Sequence, residues 1–406
     1  MTSISQARAM GIWQAIAAGL LLLLQLLIAS ASPDLQNPDL EIPPTNSTYP
    51  FPALDSTIKY LPQWFSQGDV SYVFTSSHGN YRYLGKNGKI TQEFKANVES
   101  SHYLLTFSLQ PARTNCDNTT SVTISVPVRS VVVSFSNKFA GGNQSSHWQT
   151  HGVYLGIHGN GELVTLSLEC SNTTTAFTDC GVRLEDSFIL KNIPNPINSS
   201  VRYGGLVNNL QNNMLPNGGF EYGPAFPNNS VGGVLIDAES DATQSPLNQW
   251  EILGTVKYIT TNHNYTAPEG KASIELIAGK SSGIQTSVKL KKGSEYALSV
   301  FIGEHNDACV GDFQVGVQAG SSVQNFTIQI KGAGTGLDSG WKIKSDSNRV
   351  TRISILSLAT TKSKDGVLCG PVIDKVVLLA SYGLKLQISI LFVGIGFLAT
   401  LVQITG

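Results

Sequence analysis

A chain of 406 residues is too long for one small core and suits two domains. A formal net charge of −1 supplies no basic field for nucleic acid. Only 14% of residues are charged, while Gly, Ser, Thr and Asn are plentiful. This composition is common in secreted β proteins and argues against a helical or disordered chain.

The N-terminus reads as a signal peptide over residues 1–31. Arg8 precedes an apolar run from Ala18 to Ile28, and Ala29-Ser30-Ala31 has the small-x-small pattern of a cleavage site. An uncleaved signal anchor is the alternative.

Residues 32–194 form a first module. It opens on Leu35-Gln36-Asn37-Pro38-Asp39-Leu40-Glu41. Next comes Leu61-Pro62-Gln63-Trp64-Phe65-Ser66-Gln67-Gly68-Asp69-Val70-Ser71-Tyr72-Val73, whose alternation after Gly68 predicts a half-buried strand entered through a turn. Further strands are predicted around Tyr83-Leu84-Gly85, Ile90–Phe94, Tyr103–Ser108 and Leu163–Leu168. The module closes on Cys180-Gly181-Val182-Arg183-Leu184-Glu185.

The stretch 195–212 is polar with Pro and Gly, as a linker is. Residues 213–381 then repeat the whole pattern at a period of about 185, a tandem duplication rather than a solenoid. Leu215-Pro216-Asn217-Gly218-Gly219-Phe220-Glu221 answers Leu35–Glu41. Leu247–Ile259 answers Leu61–Val73, with Gln, Trp, Gly, Val and Tyr at identical offsets. Ile274-Glu275-Leu276 aligns with Tyr83-Leu84-Gly85, Ile284–Val288 with Ile90–Phe94, Tyr296–Phe301 with Tyr103–Ser108, and Val350–Ile355 with Leu163–Leu168. Trp341 aligns with Trp148. The close is Cys369-Gly370-Pro371-Val372-Ile373-Asp374. Short strands, frequent turns and no amphipathic helix predict an antiparallel β-sandwich in each half.

Residues 382–406 hold a second apolar run, Ile388 to Val402, with no charge after it. A retained span normally ends in Lys or Arg on the cytoplasmic side. Small residues precede the run, so we read a GPI-anchor signal with attachment at Ser381, a retained span being the alternative.

Eight Asn-x-Ser/Thr sequons lie between the two apolar ends, at Asn46, Asn118, Asn143, Asn172, Asn198, Asn228, Asn264 and Asn325. All read as loops or exposed strand edges. Of five cysteines, four fall at repeat-matched places. The like-for-like pairs are Cys116–Cys180 and Cys309–Cys369. Cys170 has no counterpart: it is buried, free or paired between molecules, and a competing Cys170–Cys180 bridge stays open. No cysteine spacing fits a zinc motif.

Asn-Gly-Gly-Phe-Glu, the Gln-Trp pairs, the cysteine spacing and the Cys-Gly-Pro-Val-Ile-Asp close together resemble the plant cell-wall family "domain of unknown function 642" (BIIDXI-like). The resemblance covers both modules, and the second matches better. It implies an all-β chain of two tandem galactose-binding-like jelly rolls. It implies a location in the cell wall, to which the leader and the GPI-like tail add secretion and the outer face of the plasma membrane. Its partners would be wall polysaccharide (pectin or hemicellulose) and wall-modifying enzymes such as pectin methylesterase, and the C-terminal tail adds the membrane through a lipid anchor. No catalytic residue and no enzyme activity are implied. The GPI-like tail suggests an anchored branch of the family.

The carboxylates to watch are Glu221 and Asp374, near the first and last strands of the second module. Carbohydrate-binding modules with a similar start hold a structural calcium with such a pair, and no other cofactor is called for. The competing reading is that Glu221 binds turn amides and Asp374 caps a strand end. Glu41 and Glu185 occupy the corresponding places in the first module. A glycosidase pair needs two acids facing across a cleft, which nothing here supports. Trp64, Trp250, Trp148 and Trp341 read as repeat-matched core residues rather than sugar platforms. His147-Trp148-Gln149-Thr150-His151 reads as an exposed loop or strand, without an HExxH motif. The other function readings are a carbohydrate-active enzyme with an unrecognised site and a pure protein-interaction scaffold.

Overall fold

The computed structural model describes residues 35–38, 53–54, 63–75, 79–97, 101–112, 116, 120–139, 148–171, 181–194, 213–227, 233–239, 242–261, 265–280, 282–305, 309–329, 335–345 and 350–381. Both terminal apolar runs and the 195–212 linker lie outside them.

Strands alternate as their sequences require. In Lys89–Lys95, Ile90, Gln92 and Phe94 are buried while Thr91, Glu93 and Lys95 face the other way. In Asp312–Ala319, Phe313, Val315 and Val317 point inward and Gln314 and Gln318 outward. Such strands bury one face each, and two sheets close over a shared core.

In the first module one sheet runs Val70–Thr75, Gly79–Leu84, Val182–Pro194, Ser101–Pro111, Gln149–His158, with Ala53–Leu54 at its edge. The facing sheet runs Phe65–Gln67, Lys89–Lys95, Leu163–Cys170, Ser121–Val126, Arg129–Ser134. The second module repeats both orders. Glu251–Thr260 leads into Ala272–Glu275, Val372–Ala380, Glu295–Gly303 and Gly336–Lys344. It also pairs with Gly283–Lys289, which leads into Val350–Ser357, Asp312–Ala319 and Ser322–Gln329. Each module's last strand sits inside its sheet rather than at an edge, between early and middle strands. These are two jelly-roll sandwiches, each with its own core, one around Trp64, Phe94 and Phe107 and the other around Phe220, Trp250 and Ile355.

The duplication extends to backbone angles. Asn37 and Asn217 both have φ 49°, Gln63 and Gln249 both have φ 71°, and Gly68 and Gly254 have 69° and 67°. The hydroxyl of Tyr103 accepts from Asn97 N at 3.0 Å, and that of Tyr296 from Lys291 N at 2.9 Å.

The pairing corrects two alignments. Tyr83 lies opposite Ser71 and Glu275 opposite Lys257, so Tyr83 matches Glu275, one place later than the sequence pattern put it. Val153 lies opposite Leu105 and Trp341 opposite Leu298. Trp341 therefore matches Val153; Trp148 precedes its strand and is no counterpart of Trp341.

The modules are not beads on a string. Leu235 of the second bridges His151 of the first in parallel, joining a sheet of one module to a sheet of the other. Strand Ser101–Pro111 is buried on both sides. Tyr103, Leu105 and Phe107 face the first core, while Leu104 packs with Tyr154, Ile193 and, from the second module, Tyr222. Lys191 Nζ donates to Gly223 O at 2.7 Å across the joint.

Candidate functional site

The second module's opening stretch is a turn pinned to its last strand. Asn217 takes a left-handed conformation and its side chain closes the turn. Oδ1 accepts from Tyr222 N at 3.0 Å, and Nδ2 donates to Tyr222 O at 2.9 Å and to Asn248 O at 3.2 Å. Trp250 Nε1 donates to Pro216 O and Asn217 O at 3.0 and 3.2 Å. Positive φ falls on Asn217 and Phe220, not on the two glycines between them. Gly218 is required for another reason: a Cβ there would lie 2.1 Å from Val376 O. That close approach lets Val376 N donate to Gly218 O at 2.9 Å, where the last strand bulges at Lys375, φ 50°.

Glu221 and Asp374 staple the same corner. Glu221 Oε1 accepts from Lys271 N at 2.7 Å and Ala272 N at 3.1 Å. Asp374 is fully buried. Its Oδ2 accepts from Glu269 N at 3.0 Å and Ser273 Oγ at 3.1 Å, and its Oδ1 from Lys375 N at 2.7 Å. Burial pushes the Asp374 carboxyl up to about 7, against the pull of those donors. Burial, then the charge of Glu221, raises Glu269 as well. The three acids crowd one corner, but among the described residues no group of three acidic, histidine or cysteine side chains is arranged to hold a metal. Asp374 lies within its strand, at a bulge, rather than capping a strand end.

The first module keeps the turn and changes the fastening. Trp64 Nε1 donates to Asn37 O at 3.3 Å, matching Trp250. Gln92, at the place of Thr286, exchanges hydrogen bonds with Gln36 N and O and donates to Gln63 O. Glu41 and the side chain of Glu185 lie outside the described residues.

Trp64 and Trp250 are core residues, 2% and 0% exposed. Trp341 is half-buried against Phe326. His151 departs from the sequence reading: it is buried, because the second module lies over its strand. Cys309 is bridged to Cys369, and Thr361 Oγ1 donates to Cys369 O beside it. Cys116 is disulfide-bonded and Cys180 lies outside the described residues; Cys170 is free and buried, so the competing Cys170–Cys180 bridge does not form. Of the sequons, Asn325 is described, exposed on the edge strand Ser322–Gln329; the other seven lie outside the described residues. Ser381 directly follows the last strand, its N donating to Glu295 O.

A feature that motif reading missed is the outward face of the first module's second sheet. One row across five paired strands reads Phe65, Thr91, Ser167, Ser125, Ser130. The Phe65 ring, 39% exposed, ends this row of hydroxyls, and exposed Val132 and Leu163 flank it. The matching row of the second module is Glu251, Gln285, Ser354, Gln318, Val323, beside the Asn325 sequon. The only sequence signal was the alternation of Ser and Thr in successive strands.

Comparison with known proteins completes the picture. Solved structures with a similar course of chain include the tandem CBM22-1–CBM22-2 domain of Paenibacillus barcinonensis Xyn10C. It is 11% identical, with a TM-score of 0.26, over 81% of this chain and 97% of that one. Another is a CBM61 module solved with β-1,4-galactotriose, 15% identical, with a TM-score of 0.26, over 40% of this chain and 100% of that one. In Arabidopsis thaliana, the DUF642 L-galactono-1,4-lactone-responsive gene 2 protein is 31% identical over 328 residues, 80% of this chain and 82% of the relative. Protein TEEBE, from the same plant, is 37% identical over 169 residues, 41% of this chain and 45% of the relative. The model of the family described as protein of unknown function (DUF642) matches residues 33–183 and 213–379, one segment for each sandwich, and the chain belongs to that family.

Proposed function

We propose that this is a non-enzymatic protein of the cell wall and cell surface that binds a wall polysaccharide, pectin or hemicellulose, on the outward face of its first module. The observation that carries the reading is the row Phe65, Thr91, Ser167, Ser125, Ser130. Five strands side by side span about 19 Å, room for several sugar units of an extended chain. The apolar face of one pyranose ring stacks on Phe65. The hydroxyls of its neighbours trade water for Thr91 and for the Ser125–Ser130 pair, whose hydroxyls share a hydrogen bond at 3.1 Å, each at about 0.5–1.5 kcal/mol net, while Ser167, buried in the middle strand, offers little. Such a strip recognises a polymer by repetition. The second module's matching row has no aromatic side chain and borders a glycosylation sequon, which favours the first module as the binding face.

The non-enzymatic reading is supported by the engagement of Glu221 and Asp374 with protein donors at a stapled corner. In this reading the protein is secreted and held at the membrane by a lipid anchor at Ser381, a reading supported by the apolar runs near its two ends. Wall-modifying enzymes such as pectin methylesterase are the protein partners in this reading.

Electrophoresis of the full chain through gels containing pectins, xylans or galactans tests the proposal. Retardation by at least one polymer is expected. Unretarded migration in every gel would exclude direct polysaccharide binding and leave the protein-partner role.

The calcium reading rests on the crowding of Glu221, Glu269 and Asp374, which a divalent ion would relieve. A lower unfolding temperature after chelation, restored by calcium, would assign an ion to this corner. An unchanged temperature would leave amide stapling as the whole role of these acids.

A further inference from the structure

We propose that Asn325 carries an N-linked glycan whose stem folds back along the outward sheet of the second module and covers a strip of leucines and glycines there. The strip is one row across five paired strands, Leu253, Gly283, Leu356, Gly316, Asn325. It runs beside the row from Glu251 to Val323. Two leucines alternate with two glycines, and the row ends on the asparagine of the sequon Asn325-Phe326-Thr327.

Two features make a glycan the cover. One is the shape of the strip. Gly283 and Gly316 face outward with their strands, yet both are buried. A Cβ on Gly283 would lie 2.6 Å from Leu356 Cδ2, and one on Gly316 would lie 3.2 Å from Leu358 Cδ2. The leucines therefore lie low against the sheet and stay half-buried, an apolar floor without a ridge. The same point over Gly316 is 3.3 Å from Asn325 Oδ1, so the asparagine amide reaches the edge of this floor. The other feature is the contrast with the first module, where the fold is the same. The matching row there is Gln67, Lys89, Glu169, Thr123, Val132. It carries an ion pair, Lys89 Nζ to Glu169 Oε2 at 3.6 Å, and no sequon. The fold thus allows a polar row at this place, and the row is apolar where a sequon ends it.

The chemistry suits the occupant. The Asn325 amide nitrogen bonds to the anomeric carbon of a lipid-pyrophosphate-linked oligosaccharide. The bond from that carbon to the pyrophosphate oxygen breaks, the lipid pyrophosphate leaves with the electron pair, and the amide gives up one proton. Neighbouring strands are about 4.8 Å apart, which puts Leu356 roughly 10 Å from Asn325, under the first sugars of the stem. The C–H face and acetyl methyl of N-acetylglucosamine pack on Leu356 and Leu358 and take their apolar surface out of water. Gln318 and Ser354 stand alongside for the sugar hydroxyls. Covalent attachment makes the contact intramolecular, so weak packing suffices.

The glycan requires the secreted location proposed above, since oligosaccharide transfer occurs along the secretory route, but nothing from the Phe65 face. The full chain, produced in a secreting eukaryotic cell, separates the two. A chain found neither in the medium nor at the cell surface would overturn both readings. A secreted chain whose Asn325 peptide is bare by mass spectrometry would overturn this one alone. Asn325→Gln and Thr327→Val each remove the sequon and should lower the unfolding temperature by about 2–4 °C. In a chain with Leu356→Ser and Leu358→Ser, which keeps the sequon and loses the floor, the same changes should shift it by less than half as much. Equal shifts in the two backgrounds would overturn the proposal. In wild type, NMR cross-relaxation between the N-acetyl methyls and the leucine methyls is expected, a readout that needs no variant to fold; its absence would contradict the packing. A sequon-free chain that keeps its unfolding temperature and pairs with itself would give the strip to a second copy and overturn the proposal as well.

Discussion

At the scale of single residues, Asn217 does more than its neighbours in the opening motif. It supplies the left-handed angle that a residue with a Cβ seldom adopts, and its amide spans the turn in both directions. Asn217→Ala should cost about 2–4 kcal/mol in chemical unfolding, because it adds backbone strain to lost buried hydrogen bonds. Asn217→Gly should cost about 1 kcal/mol less, since glycine keeps the angle. Equal losses would mean that the angle is unimportant. The persistence of Asn at 37 and 217 was visible in the sequence. His151 was not read correctly, because its burial comes from a strand more than eighty residues away, which local pattern does not encode. Its consequence is a pH dependence. The folded state holds His151 near 4, whereas an unfolded histidine titrates near 6.5. The unfolded chain therefore binds more protons between those values, and stability falls as pH drops through that window. Thermal unfolding from pH 7 to pH 4 should show a steeper loss for wild type than for His151→Gln; parallel curves would contradict it.

At the scale of elements, the jelly-roll order was legible because strand alternation and repeat spacing are local signals. Register was not. The off-by-one match at Tyr83 and the false match of Trp148 with Trp341 arise because spacing cannot count bulges or unequal loops. Strand Gln149–His158 has such a shift, between the partners Tyr103 and Leu104. The closing element depends on its bulge at Lys375, where Gly218 and Asn213 meet Val376. Gly218→Ala would drive a methyl into a backbone oxygen, and an unfolding free energy lower by about 2 kcal/mol or more is expected. A neutral outcome would show that the turn can retreat from the strand. The Cys309–Cys369 bridge closes a loop of 60 residues and joins the short sheet at one end of the second module. Cys309→Ser with Cys369→Ser should lower stability by about 2–5 kcal/mol in calorimetry.

At the scale of the whole molecule, two modules and a linker were legible in the sequence, but not that the modules dock. Docking is carried by Lys191, Tyr222 and the Leu235–His151 bridge, none of which stands out in a linear reading. Lys191→Met removes the charged donor to Gly223 and should separate one unfolding transition into two in scanning calorimetry. A single unshifted transition would mean the apolar contacts suffice. Docking also decides which surfaces stay available. It covers part of one sheet of the first module, around Leu104, Tyr154 and His151, and leaves Phe65 and Ser130 exposed at the two ends of the opposite row. The most direct measurement is a calorimetric titration of the full chain with a polymer that retards it, for wild type and Phe65→Ala. Losing the ring should weaken binding about tenfold, near 1.4 kcal/mol, with folding unchanged. Equal affinity in the two proteins would contradict it.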